Sequence, residues 1–364
     1  MPPHNIVRFR LANQHITSKP LASPAGVVAS LGAVQAQDYQ AALWAIGLRC
    51  KDATRSDVED AIAKRKIIRT WPMRHTLHFV PPELVRAMLS LYPEKDIPMY
   101  QMSNGLTDKI LEKGLKLVAN AFREKEQLTY KEMHRALEHT GIPAMDKTEV
   151  QAHIIRKAGR KGIICFATHQ GKLPTFALLD EWVPSARPMG KEGILKEMAE
   201  RYFTSHGPAT LKDFVWWSGL RVSDARVGIA KASGLKEQEI GGKAHYMPRK
   251  TLKPSSDDSG VYLLPAFDEY LISYTDRSAM LGNTGTQRVL KSGKVVFTHS
   301  NGIFLPIIVI DGQVVGTWNR KQEKARIVVG LNPFVRLTKE QMSRIKKRVS
   351  DYGRFMECDA LLKQ

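Results

Sequence analysis

Cysteine is scarce in this chain: Cys50, Cys165 and Cys358 stand far apart among 364 residues. An odd, dispersed set makes neither a disulfide framework nor a CxxC pair, and no His/Cys cluster has metal-ligand spacing. Ordinary thiols in a reducing cytoplasm are expected, with no metal and no cofactor. Long apolar runs are missing too. No stretch approaches the ~20 residues of a membrane-spanning helix. The opening Met1-Pro2-Pro3-His4-Asn5-Ile6-Val7-Arg8-Phe9-Arg10 lacks the apolar region of a secretory signal, so no membrane partner is expected. Acidic residues are outnumbered, 36 Asp and Glu against 55 Lys and Arg, which leaves a net charge of +19.

Such an excess attracts polyanions, and nucleic acid comes first because many phosphates can be neutralised at once. A basic surface with no particular partner is the plainer explanation. RNA fits the charge, but none of the usual aromatic RNA-binding signatures is present. The length suits two or three domains rather than one small core.

Caps and element order give the organisation. Ser56-Asp57-Val58-Glu59 has the form of a capping box opening a helix to about Arg65, followed by strands at 67–71 and 76–80 around Pro72. Helix, helix and a two-stranded ribbon is the order of a winged helix. The order recurs from Thr129-Tyr130-Lys131-Glu132, with a helix closed by Gly141, a second helix over 148–160, and strands at 163–166 and 176–179 joined through Gly171. A third copy opens at Thr210, with Gly219 ending one helix, Ser223 capping the next, and a wing over 239–247. After a linker at 249–260 the character turns to β. Strands are expected at 261–264, 294–297, 304–310 and 313–318, the last two joined by the hairpin signal Asp311-Gly312, before a closing helix at 338–349. The expected fold is therefore α+β: three tandem winged-helix (helix-turn-helix) units at 1–120, 121–190 and 191–250, then a C-terminal β-rich, barrel-like domain at 261–364.

In the second unit His153, Arg156, Lys157, Arg160 and Lys161 crowd the end of one helix, with Arg156 and Arg160 on one face. They suit contact with DNA, although cations at a helix C-terminus are also favourable without any ligand. Arg221, Arg226 and Lys231 make a weaker set in the third unit. Three such units with a β domain suit a clamp around one duplex better than a small dimeric regulator, and a monomer is expected.

The tripeptide Gln35-Ala36-Gln37 is the most informative local feature. In an extended segment both amides point to one side and could reach one small object such as a water; on a helix they would diverge by roughly 200°. Gly32 just before it is a plausible helix stop. Without further context, capping a helix end or a turn is the simpler use of these residues.

The chain resembles the AlkZ/YcaQ-type winged-helix DNA glycosylases. The resemblance is carried by residues 31–39 (Leu-Gly-Ala-Val-Gln-Ala-Gln-Asp-Tyr), 69–74 (Arg-Thr-Trp-Pro-Met-Arg), Thr76-Leu77-His78, 263–270 (Leu-Leu-Pro-Ala-Phe-Asp-Glu-Tyr), Asp276-Arg277 and Gly316-Thr317-Trp318. It implies a monofunctional glycosylase that removes N7-alkylated purines from double-stranded DNA and unhooks some interstrand crosslinks. The family signature is Gln, an apolar residue, then Gln or Asp, so Gln35 and Gln37 are the implied catalytic pair. His75 stands where the pattern expects a small residue, usually Gly.

The chemistry is consistent with so weak a catalyst. A Gln amide does not titrate, but an N7-alkylguanine already carries positive charge and leaves without a general acid. Asp38 is the rival, since a carboxylate would stabilise an oxocarbenium ion better, yet it should project opposite Gln37. Arg69, Trp71, Arg74 and His78 could line the lesion side, with core packing the commoner use of Trp71. Asp268 and Glu269 could hold the β domain to Arg277 or approach the site. The alternative to an enzyme is a non-catalytic winged-helix regulator or damage sensor; only the enzyme would release free alkylated base.

Overall fold

The computed structural model describes residues 3–92, 104–183, 188–253, 260–282 and 305–363. The chain divides into two compact units, residues 1–58 with 192–364, and residues 59–191. In chain order the first unit opens with α1 (Pro3–Asn13), α2 (Pro24–Leu31), the two-residue extended β1 (Val34–Gln35) and α3 (Tyr39–Gly47). The division falls within α4 (Arg55–Ala63). The cap of α4 lies two residues earlier than the Ser56/Glu59 pattern suggests. Asp57 N–H donates to Thr54 Oγ1 at 3.2 Å and Thr54 N–H to Asp57 Oδ2 at 2.8 Å, while Ser56 is drawn off to Glu357. The Thr54 hydroxyl also donates to Asp57 Oδ2 at 2.9 Å, which completes the cap.

The second unit holds β2 (Ile68–Met73), β3 (Thr76–Val80), α5 (Pro82–Ser90), α6 (Asp108–Asn120), β4 (Leu128–Thr129), α7 (Tyr130–Arg135), α8 (Thr148–Arg160), β5 (Ile164–Gln170), β6 (Leu173–Leu178) and α9 (Leu179–Trp182). Its antiparallel strands run in the order β3-β2-β5-β6-β4. Thr129 and Glu132 form the expected capping box, but α7 stops at Arg135, well before Gly141. Leu137 and Met145 are drawn into the core in its place. That core is one cluster in which Trp71, Phe166, Phe176, Val150, Ile154 and Met133 pack together.

The chain then returns to the first unit with α10 (Lys191–His206), α11 (Leu211–Ser218), α12 (Val222–Lys231), β7 (Leu235–Ile240) and β8 (Lys243–Pro248). Thr210 caps α11 and Gly219 ends it in the left-handed conformation, as the sequence suggests; α12 starts earlier than expected, after Arg221. Next come β9 (Val261–Leu264), α13 (Glu269–Ile272), α14 (Ser278–Leu281), β10 (Ile307–Ile310), β11 (Gln313–Glu323), β12 (Arg326–Pro333), α15 (Lys339–Phe355) and β13 (Asp359–Leu362). The sheet order is β13-β12-β11-β10-β9, antiparallel except for the β12–β13 pair. The strand expected at 294–297 and the start of the one expected at 304 lie outside the described residues, as do 254–259 of the linker. The helix expected to close the chain is followed by β13, which pairs in parallel with β12 and brings the terminus back to the sheet.

Two aromatic groups organise this unit. Trp44 and Trp318 both pack on Tyr352 and donate their indole N–H groups to the carbonyls of Leu263 and Leu264. Tyr202 and Phe203 of α10 with Phe214 and Trp217 of α11 form the other, between the two helices. Among the described residues no helix is long and apolar enough to cross a membrane.

Candidate active site

Two helix boundaries hold Gln35-Ala36-Gln37 out of helical conformation. The first is Gly32, which ends α2 with φ 79° and donates its N–H to the carbonyl of Val28. A side chain there would be strained by the backbone, and its Cβ would meet Arg201 Cβ tightly at 3.2 Å. Asp38 is the second: its backbone is extended and its Oδ1 accepts the Ala41 N–H at 3.0 Å, capping α3. Between these stops burial alternates. Gln35 is half-buried, Ala36 fully buried and Gln37 exposed, the pattern that period-2 backbone gives when only its middle residue faces the core.

A carboxylate from far along the chain underpins the motif. Glu269 Oε1 accepts the backbone N–H of Gln35 at 2.8 Å. Its Oε2 accepts the indole N–H of Trp217 at 3.2 Å and the hydroxyl of Ser273. The buried His206 ring places Nε2 3.6 Å from the same oxygen. Glu269 is itself 1% exposed. Burial pushes the phenol of Tyr202, stacked on His206, well above its usual range.

Asp268 is committed elsewhere. Both its oxygens take a guanidinium N–H from Arg49, at 2.8 and 2.9 Å, with the pair wholly buried, and Oδ1 also caps α13 through Tyr270 N–H. Arg49 spends its remaining donors on Gln14 and Ala45. Phe267, just before this pair, sits at φ 58°, a left-handed conformation that bulky residues rarely adopt. Arg277 donates to the Leu271 carbonyl and faces the Trp216 ring, and burial lowers its pKa. The two carboxylates thus divide: Asp268 is engaged by Arg49, and Glu269 reaches the motif.

In the second unit the four expected residues form two local sets. Trp71 belongs to the core: it packs on Phe166 and on Gly159, where an added Cβ would come within 2.3 Å of the ring. Arg69 is buried with its guanidinium 4.6 Å from the Phe166 ring. Arg74 and His78 meet at 3.3 Å, and His78 Nδ1 lies 3.0 Å from the Thr76 carbonyl. A carbonyl only accepts, so Nδ1 carries the proton and Nε2 offers Arg74 a lone pair. Arg74 and His75 link β2 to β3 with φ 51° and 60°, the signature of a type I′ turn.

The basic set on α8 divides as well. Arg156 and Lys161 are exposed and Arg160 is half-buried, whereas His153 and Lys157 lie on the buried side of the helix. Those two share the buried side with Ile154 and Ala158, so Arg156, Arg160 and Lys161 are the more accessible members of the set. In the first unit Arg221, Arg226 and Lys231 are all exposed along α12, where Lys231 pairs with Glu192 at 2.8 Å. Sequence reasoning did not find Arg49, His206, Trp217 or Ser273. They sit in ordinary helical patterns, and only the i, i+4 spacing of Glu269 and Ser273 was a visible signal.

The family model for AlkZ-like DNA glycosylases matches residues 28–355. A curated relative, the interstrand DNA cross-link repair glycosylase of Streptomyces sahachiroi, is 23% identical over 335 residues, 86% of each chain. Among solved structures the S. sahachiroi DNA glycosylase AlkZ superposes with a TM-score of 0.74 over 99% of both chains at 20% identity, which establishes a shared α+β fold.

Proposed function

The chain belongs to the AlkZ-like DNA glycosylase family, and we propose that it excises N7-alkylated purines from double-stranded DNA through the paired amides of Gln35 and Gln37. Membership sets aside the reading of a non-catalytic binding protein: the chain is a DNA glycosylase, acting on the bond between base and sugar. The observation that carries the finer reading is local. Two neutral amides flank a fully buried alanine in a short non-helical segment fixed at Gly32, at Asp38 and by Glu269.

The mechanism follows from what amides can and cannot do. Neither accepts a proton at neutral pH, so water is not deprotonated in advance. An N7-alkylated purine departs as a neutral base, leaving C1′ oxocarbenium-like. Two amide oxygens hold a water in line with C1′ and place their negative dipole ends near the developing charge. An unmodified base, a poor leaving group, stays in place, so selectivity comes from the substrate. The name of the curated relative speaks of interstrand cross-link repair, and we extend that to unhooking of N7-linked crosslinks here.

Three winged-helix units would present the duplex. The order α7, α8, β5, β6 supports one such unit and the order α11, α12, β7, β8 another, with β2 and β3 as the ribbon of the third. Arg156, Lys161, Arg221 and Arg226 are the exposed cations suited to phosphates. The protein acts as a monomer in the cytoplasm, where its three free cysteines remain reduced.

A duplex carrying one N7-methylguanine tests the reading. Incubation should leave the strand intact yet produce a time-dependent cut when alkali is added afterwards. Strand cleavage without alkali would overturn the monofunctional assignment, and no cut on any N7-alkylated duplex would overturn the substrate.

A further inference from the structure

We propose that Glu269 is a positioning residue for the reaction, a clamp that fixes the Gln35 backbone and so aims both amides. This rests on Gln35 and Gln37 being the catalytic pair. The segment carrying them is too short to hold its own geometry: β1 is two residues long, and regular structure resumes only at Tyr39. Inside the motif the Gln35 N–H is tied to a distant side chain, and its acceptor is Glu269 Oε1 at 2.8 Å. That carboxylate is immobile in turn. It sits in the first turn of α13, beside Asp268, which Arg49 grips with two bonds.

The chemistry of the pocket specifies a carboxylate rather than a residue of its shape. Donors aimed at it include the Gln35 N–H and Trp217 indole N–H, which cannot accept, and the Ser273 hydroxyl, with His206 Nε2 3.6 Å from Oε2. An amide at 269 would have to turn its own NH2 toward one of those two N–H groups. A buried carboxylate is costly to desolvate, and an apolar residue would fill the space at less cost. A fixed acceptor for Gln35 is a reason to keep it. A displacement of ~1 Å in a positioning group can cost ~100-fold in rate, so the clamp acts on turnover and not on DNA affinity.

Single-turnover excision of N7-methylguanine, with DNA half-saturation measured alongside, tests this on the full chain. Glu269→Gln should slow excision about 10- to 100-fold with half-saturation unchanged within about twofold. Glu269→Gln/Trp217→Phe, in which the opposing indole N–H is gone, should then recover part of the rate. A merely structural role predicts the reverse, since the phenyl ring leaves a cavity in the core. A Glu269→Gln rate within twofold of wild type, a matching loss of affinity, or a double variant no faster than the single one would each overturn the clamp. If Glu269→Gln does not fold, Ser273→Ala carries the test: it removes one bond from Oε2 and keeps the charge. Slower excision at unchanged half-saturation supports the clamp, and the wild-type rate overturns it. Gln35→Ala is the control: full activity there would overturn the amide pair itself, a different failure from that of Glu269.

Discussion

Asp38 is the charged rival to the proposed amide pair. Its carboxylate lies beside the amide pair and is exposed, yet the Ala41 N–H occupies one oxygen as the cap of α3. Asn caps a helix about as well as Asp, and Ala does not. Asp38→Asn should therefore keep excision within about threefold of wild type, whereas Asp38→Ala should lower stability by about 1 kcal/mol in denaturant unfolding. A collapse of activity in Asp38→Asn at full stability would return the catalytic role to the carboxylate. At the next site, His75 occupies the second central position of a type I′ turn at φ 60°, where glycine carries no steric penalty. The departure from the small residue expected there is a local strain. His75→Gly should raise stability by about 1 kcal/mol, read as a shift in the denaturant midpoint.

At the scale of elements, some caps and turns were legible in the sequence, whereas the caps read at Ser56 and Ser223 and the stop at Gly141 are not those of the structure. Thr129, Thr210 and Thr338 cap their helices, Gly32 and Gly219 end theirs, and Asp311-Gly312 turns β10 into β11 with both residues at positive φ. Each is a local signal, decided by chemistry within four residues. The parts that escaped are non-local. Strand β13 has no hydrophobic alternation stronger than its surroundings and exists because β12 offers it an edge. The candidate site was legible as a motif but not as a constellation, because Glu269 reaches Gln35 across 234 positions and nothing local announces that pairing. Packing between elements carries similar information. Helix α8 approaches β2 closely enough that Gly159 lies against the Trp71 ring, with no room for a methyl group. Gly159→Ala should therefore destabilise the fold by about 1–3 kcal/mol, despite the better helix propensity of alanine. A neutral or stabilising result would mean that Trp71 moves freely.

For the whole molecule, the proposed function assigns the net charge of +19 to affinity rather than to chemistry. Phosphate contacts bind by releasing counterions, so each one adds about 0.9 to the slope of log affinity against log salt. Arg156→Glu and Arg226→Glu, both at exposed positions, should each flatten that slope by about 1. The excision rate on saturating DNA should remain as in wild type. Unchanged slopes would remove these arginines from the DNA interface. On the proposed mechanism charge and catalysis are separable, a polycationic surface gathering DNA and an uncharged amide pair acting on it. The most direct test of that separation is the release of free 7-methylguanine from a modified duplex by wild type and by Gln35→Ala/Gln37→Ala, at matched DNA occupancy. The account predicts abolished release with affinity within a few-fold of wild type. Release at the wild-type rate from the double variant would contradict it.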